Sequence, residues 1–184
     1  IDVRSATAAA SILLTGLDGL IDCWVNRRMP RRELVDIYTT LCTGAFEALA
    51  AKYPDDDEAQ IFAALYVAGT QSQADQTYAA YLKAAAVLEK QFVKYPDHPG
   101  VAHYLIHSYD APPIAQQGLP AARKYSGIAP DAPHALHMPS HIFTRVGLWP
   151  ETIASNLDSA GSARALAPLY PETSAFDRLH ALDY

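Results

Sequence analysis

The tetrad Lys52-Tyr53-Pro54-Asp55 returns as Lys94-Tyr95-Pro96-Asp97, and this self-similarity constrains the fold more than any other feature of the chain. Weaker copies stand at Ala129-Pro130-Asp131 and Tyr170-Pro171-Glu172, so the prolines at 54, 96, 130 and 171 follow one another in steps of 42, 34 and 41 residues. A repeat of that length is a supersecondary unit that cannot bury its apolar face alone and gains a core only by stacking on its neighbours. The segments between the prolines have a helical period. Leu34, Ile37, Tyr38, Leu41, Ala45, Ala48 and Leu49 fall at steps of mostly three and four ahead of Pro54. Tyr78, Tyr81, Leu82, Ala85, Leu88 and Phe92 do the same ahead of Pro96. Each proline then stops its helix, and an aspartate just beyond is placed to cap the next. Asp57 followed by Gln60 has the spacing of a capping box, and the polar stretch 71–75 reads as the loop that lengthens the second unit. Strand signals are absent, and abundant alanine with sparse Val, Ile and Thr favours helix over sheet. The fold class expected is all-α, a single repeat domain over 1–184 with units at 33–54, 57–96, 99–130 and 133–171 and a further helix starting in 172–184.

Charge and hydropathy exclude several partners. The 184 residues include 14 basic and 20 acidic side chains, a net charge of −6 that repels phosphate backbones, so nucleic acid is not an expected partner. No apolar run approaches bilayer-spanning length, and the stretch at 8–14 lacks the basic leader and small-residue cleavage site of a signal peptide. A soluble protein without a membrane partner is expected, cytoplasmic or periplasmic. Cys23 and Cys42 are too few for a disulfide framework, lack metal-knuckle spacing, and read as buried small residues. Trp24 and Trp149 read as core or turn anchors.

The step from Pro96 to Pro130 resembles a tetratricopeptide repeat, in which proline closes the second helix. Gly147-Leu148-Trp149 at the following turn and the alanine- and leucine-bearing segment 153–166 are similar to that family too. More narrowly, HYLIHSYD at 103–110 and PHALHMPSHIF at 133–143 look like a bacterial group of tetratricopeptide-repeat proteins of unassigned function. The likeness covers residues 33–184 and leaves 1–17 outside it. It implies a right-handed superhelix of antiparallel helix pairs. Residues 180–184 resemble the start of another helix of that group, which implies a piece of a longer protein. Counting each repeat from the third residue after its proline, His103, His107 and Asp110 take positions 5, 9 and 12. His134, His137 and His141 take positions 2, 5 and 9 of the next repeat. The resemblance implies that these positions line a concave, ligand-binding groove. Where chaperone-binding members carry a lysine and asparagine clamp, this chain has histidine.

The histidines form a constellation independent of any family. Five of the seven lie between residues 103 and 141. At roughly 100° per residue, His103, His107 and Asp110 share an arc of about 60° on one helix. His134, His137, His141 and Arg145 share a similar arc if 133–145 is one helix. Neighbouring helices pack about 8–10 Å apart, which lets imidazoles of both meet. An i, i+4 histidine pair can chelate a divalent ion from a helix face. His103, His107, His137 and His141 are the candidate metal ligands, with Asp110 as a carboxylate ligand or as an acceptor that orients an imidazole. Imidazole donors without thiolate suit zinc, copper, nickel or iron, and Met138 leans toward copper or toward simple packing. Pro139 qualifies the helical register. It either kinks the helix or begins it, and in the second case only His141 keeps the register. His98 and His180 read as ordinary hydrogen-bonding residues, and the run 55–58 as a solvated helix start.

The function expected is a binding module whose groove holds a peptide or small polar ligand on His103, His107, Asp110, His134, His137, His141 and Arg145, with or without an ion. No residue is assigned a catalytic role. The alternatives are a metal-dependent enzyme of hydrolase or oxidoreductase type, or a metal carrier using the same histidines. Exposed terminal helices offer surfaces for self-association.

Overall fold

The computed structural model describes residues 30–184, all of whose regular elements are helical. The stretch at 8–14, Cys23 and Trp24 lie outside the described residues. The chain divides into two compact units, Ile1–Ala80 and Tyr81–Tyr184.

In the first unit, α1 (Arg31–Lys52) packs on α2 (Asp57–Gly69). Ala50, Ala59 and Ala63 are buried at their contact with Phe46 and Leu49 against them. Phe46 stacks on Tyr66 at 4.8 Å and on Phe62 at 5.5 Å, so the paired helices are joined by aromatic faces over a bed of alanines. Cys42 is fully buried on α1, as its small apolar character suggests.

The turn after Pro54 departs from the expected capping box. The cap of α2 is Asp56 rather than Asp57, with its Oδ1 accepting from the Ala59 N–H at 3.0 Å. The turn closes between the Tyr53 carbonyl and the Asp56 N–H, which puts the extended cap conformation on Asp56. Gln60 donates instead to the Ala50 carbonyl at 3.0 Å and pins α2 to the end of α1. The loop at 71–75 is ordered by its own side chains, with Gln71 donating to the Asp75 carbonyl and Asp75 accepting from the Thr77 N–H at 2.8 Å.

By length and composition α1 is the one described helix long and apolar enough to cross a membrane, with a mean hydropathy of 1.2 in its most apolar window. This qualifies the expectation that no apolar run approaches bilayer-spanning length.

In the second unit, α3 (Ala79–Lys94), which begins at the boundary, is followed by α4 (Pro99–Tyr109), a 3-10 turn (Ala115–Gly118) and α5 (Leu119–Ile128). Then come α6 (Pro133–His137), α7 (Pro139–Arg145), α8 (Trp149–Leu166) and α9 (Pro171–Asp183). Consecutive elements pack on each other: α4 on α5, α6 and α7 on α8, and α8 on α9. The core is built of small and branched residues, with Val101, Ile106, Ala122, Ile142 and Ala163 all fully buried. His98 caps α4, its Nδ1 accepting from the Val101 N–H at 3.2 Å, while Asp97 pairs with Lys124. A Cβ at Gly118 would lie 2.8 Å from Ile142 Cδ1 and 3.0 Å from Tyr109 Cβ, so only glycine lets the 3-10 turn approach α4 and α7 this closely. Gly147 turns the chain from α7 into α8 at φ 79°, and Trp149, the first residue of α8, is exposed rather than a core anchor.

Candidate metal centre

Helix α4 is amphipathic in the sense that matters for a site. Val101, Ala102, Leu105 and Ile106 are buried, and His103 and His107, one turn apart, are on another face. Tyr125 of α5 stacks on the His103 ring at 5.4 Å and holds it in place.

The second group of histidines rides on the segment that Pro139 interrupts. Of the two sequence alternatives the structure shows the second: α6 ends at His137, and α7 begins with Pro139 in its first turn. Met138 between them keeps helical dihedrals, φ −53° and ψ −36°. Proline therefore removes a hydrogen bond without turning the chain away, and His134, His137 and His141 stay on one side. Met138 itself is 1% exposed and fills the core.

Helix α8 braces this broken segment. Ser155, Ser159 and Ser162, at i, i+4 and i+7, donate to the carbonyls of Leu136, Pro133 and Asp131. Asn156, adjacent in sequence to the first of these serines, accepts from His137 Nδ1–H through Oδ1 at 2.6 Å. The far edge is supplied by α9, whose His180 ring lies 4.5 Å from that of His137. Tyr184 packs against His137 and His141, with centroids 5.2 and 4.6 Å away.

The rings converge as two trios. His103, His107 and His134 form one, and His137, His141 and His180 the other; within each, the potential donor atoms all lie within 4.8 Å of one another. His103 Nε2 is 3.0 Å from His107 Nε2 and 3.1 Å from His134 Nε2, and His137 Nε2 is 3.0 Å from His141 Nε2. Bonds of about 2.0–2.1 Å from imidazoles to one tetrahedral ion would set neighbouring nitrogens roughly 3.3–3.4 Å apart. The observed spacings are close to that edge.

The outer nitrogens decide what the inner ones can do. His141 Nδ1–H donates to Asp110 Oδ2 at 2.9 Å, and His137 Nδ1–H donates to Asn156. A neutral imidazole carries one N–H, so each of these rings, when neutral, presents a lone pair at Nε2. Two lone pairs then face each other at 3.0 Å, an arrangement that a shared cation relieves. Asp110 is held in turn by Arg145, whose Nε donates to Oδ1 at 2.8 Å. A carboxylate on the back nitrogen of a ligating histidine fixes its tautomer and raises its basicity.

Burial acts in the same direction. Desolvation first, then the neighbouring His107, His134 and His141, push His103 down to about 3. Desolvation, only partly offset by the Asn156 hydrogen bond, pushes His137 down to about 4. His107 and His134 are lowered for the same leading reason. Desolvation raises Asp110, but the hydrogen bonds from His141 and Arg145 outweigh it and leave a carboxylate below its ordinary range. Four of the rings, His103, His107, His134 and His137, are thus held toward the neutral form that can donate a lone pair, and an ionised carboxylate lies behind the site.

The structure sorts the sequence candidates by position. His103 and His107 share their trio with His134, and His137 and His141 share theirs with His180. Asp110 touches His141 and Arg145, so of the two roles considered for it the geometry gives the orienting one. Arg145 is engaged by that carboxylate. Sequence reasoning passed over Asn156 and Tyr184, and its reading of His180 as an ordinary hydrogen-bonding residue is corrected by the convergence of that ring on His137 and His141. Counted from Pro171 as the other units are, His180 takes position 7, off the 5 and 9 register, because α9 starts at Pro171 itself instead of three residues later. Asn156 carries no local signal, since it lies in the middle of a helix whose pattern is otherwise packing. No protein-family model, curated protein or solved structure matches this chain.

Proposed function

We propose that the protein is a tetratricopeptide-like binding module whose histidine-lined face takes a divalent transition-metal ion and, through it, a small polar ligand or peptide side chain. The observation that carries this reading is the pair His137 and His141. Each is anchored through Nδ1 by an acceptor, so their Nε2 lone pairs are aimed at each other across 3.0 Å. Anchoring both rings from behind is what a metal centre needs and what a plain hydrogen-bonding groove does not. Donors that are all imidazole favour zinc, copper, nickel or iron over magnesium or calcium. The repeat character rests on the prolines at 54, 96, 130 and 171, each of which falls at or beside a helix terminus in the manner of that family.

Elemental analysis of purified protein, before and after chelation, tests the reading. Stoichiometric metal is expected in the wild type, with a large loss in His141→Ala. A wild type that neither carries metal nor takes up zinc or copper after chelation, with its helical circular dichroism intact, would overturn it.

A further inference from the structure

The two trios are contiguous. The His107 and His141 rings are 6.4 Å apart between centroids, and so are those of His134 and His137, so each trio forms one wall of the other. All six candidate donors are imidazoles, three for each position, and an imidazole coordinates only through a deprotonated nitrogen. A histidine triad with a fourth position open is the arrangement of catalytic rather than purely structural ions.

We propose that the trios hold two divalent transition-metal ions side by side, one on His103, His107 and His134 and one on His137, His141 and His180, and that an anionic oxygen ligand completes their coordination. This rests on the metal-binding reading above and deepens it. The stoichiometry follows from the donors: six imidazoles converge on two points rather than one, and no single ion can use all of them at the ordinary bond length. The ligand class follows from charge. Two divalent ions bring four positive charges to a site whose own donors carry none. The adjoining carboxylate, Asp110, is already shared between His141 Nδ1 and the Arg145 guanidinium. Two ions this close repel strongly unless an anion lies between or beside them. Hydroxide, a carboxylate or a phosphate group meets that demand, and a neutral or cationic ligand does not.

His134 and His180 are exposed, and one lies in each trio, so replacing either by alanine removes a ligand without opening the core. Chelator-stripped protein would be titrated with cobalt(II), a spectroscopic substitute for zinc, following the visible absorption band, with circular dichroism reporting the fold of each variant. The wild type is expected to saturate at two equivalents with high affinity, and His134→Ala and His180→Ala at one each. Inorganic phosphate is expected to shift the band of the doubly loaded wild type. Saturation of the wild type at one equivalent would overturn the two-ion centre while leaving the metal-binding reading intact. No uptake at all would overturn both. An unchanged band on addition of phosphate would overturn the assignment of an anionic ligand.

Discussion

Lowering the pH of the chelator-treated protein from 7 to 5 asks how much the fold depends on keeping His137 neutral. This ring is 1% exposed, and burial carries it from an ordinary 6.5 down to about 4. The unfolded chain therefore takes up the proton first. The corresponding stability is fully present above the unfolded value and is lost as the pH falls from 6.5 toward 4. Each pH unit in that window is worth about 1.4 kcal/mol, so His137 alone is expected to cost the protein about 2 kcal/mol between pH 7 and pH 5. Urea unfolding at the two pH values measures the loss. His137→Gln keeps a polar side chain facing Asn156 but does not titrate, so the difference between the two losses isolates this imidazole, and His103, common to both proteins, cancels. Equal losses for wild type and variant would refute the reasoning, because they would mean that His137 gains its proton as easily in the folded state as in the unfolded one. With zinc present the wild type is expected to gain stability at pH 7 and to lose that gain toward pH 5, since protons and the ion compete for the same lone pairs.

Other perturbations probe the supports of the site. Asp110→Asn leaves an acceptor for His141 but removes the charge, and zinc affinity measured calorimetrically is expected to fall about 10–100-fold. Gly118→Ala places a methyl 2.8 Å from Ile142 Cδ1, and chemical denaturation is expected to show a loss of about 1–3 kcal/mol from overpacking. Ser159→Ala removes the buried hydroxyl's bond to the Pro133 carbonyl, at an expected cost of about 0.5–1.5 kcal/mol by the same measurement. Gly147→Ala forces a Cβ onto φ 79°, and an expected loss of about 1 kcal/mol checks the turn between α7 and α8.

Helix and loop were legible in the sequence because both are local. Proline lacks an N–H and clashes with the preceding turn wherever it falls, so the ends of α1 and α3 near Pro54 and Pro96 are written in the residues themselves. The i, i+4 pair His103 and His107 was legible for the same reason: helical geometry puts them one turn apart whatever surrounds them. The capping of α2 was read one residue late, since the turn that selects Asp56 over its acidic neighbour is closed by the Tyr53 carbonyl, a contact that composition alone does not specify.

What the chain determines by itself is an all-helical protein with imidazoles on the same faces of two of its segments. Which imidazoles meet was decided only by the tertiary packing. Helix α8 holds the broken segment at 131–136 through three serine hydroxyls, and α9 delivers His180 to His137 from more than forty residues away. Contacts of that separation depend on how helices dock, and docking is set by the summed shape of the alanine-rich faces between them rather than by any one residue.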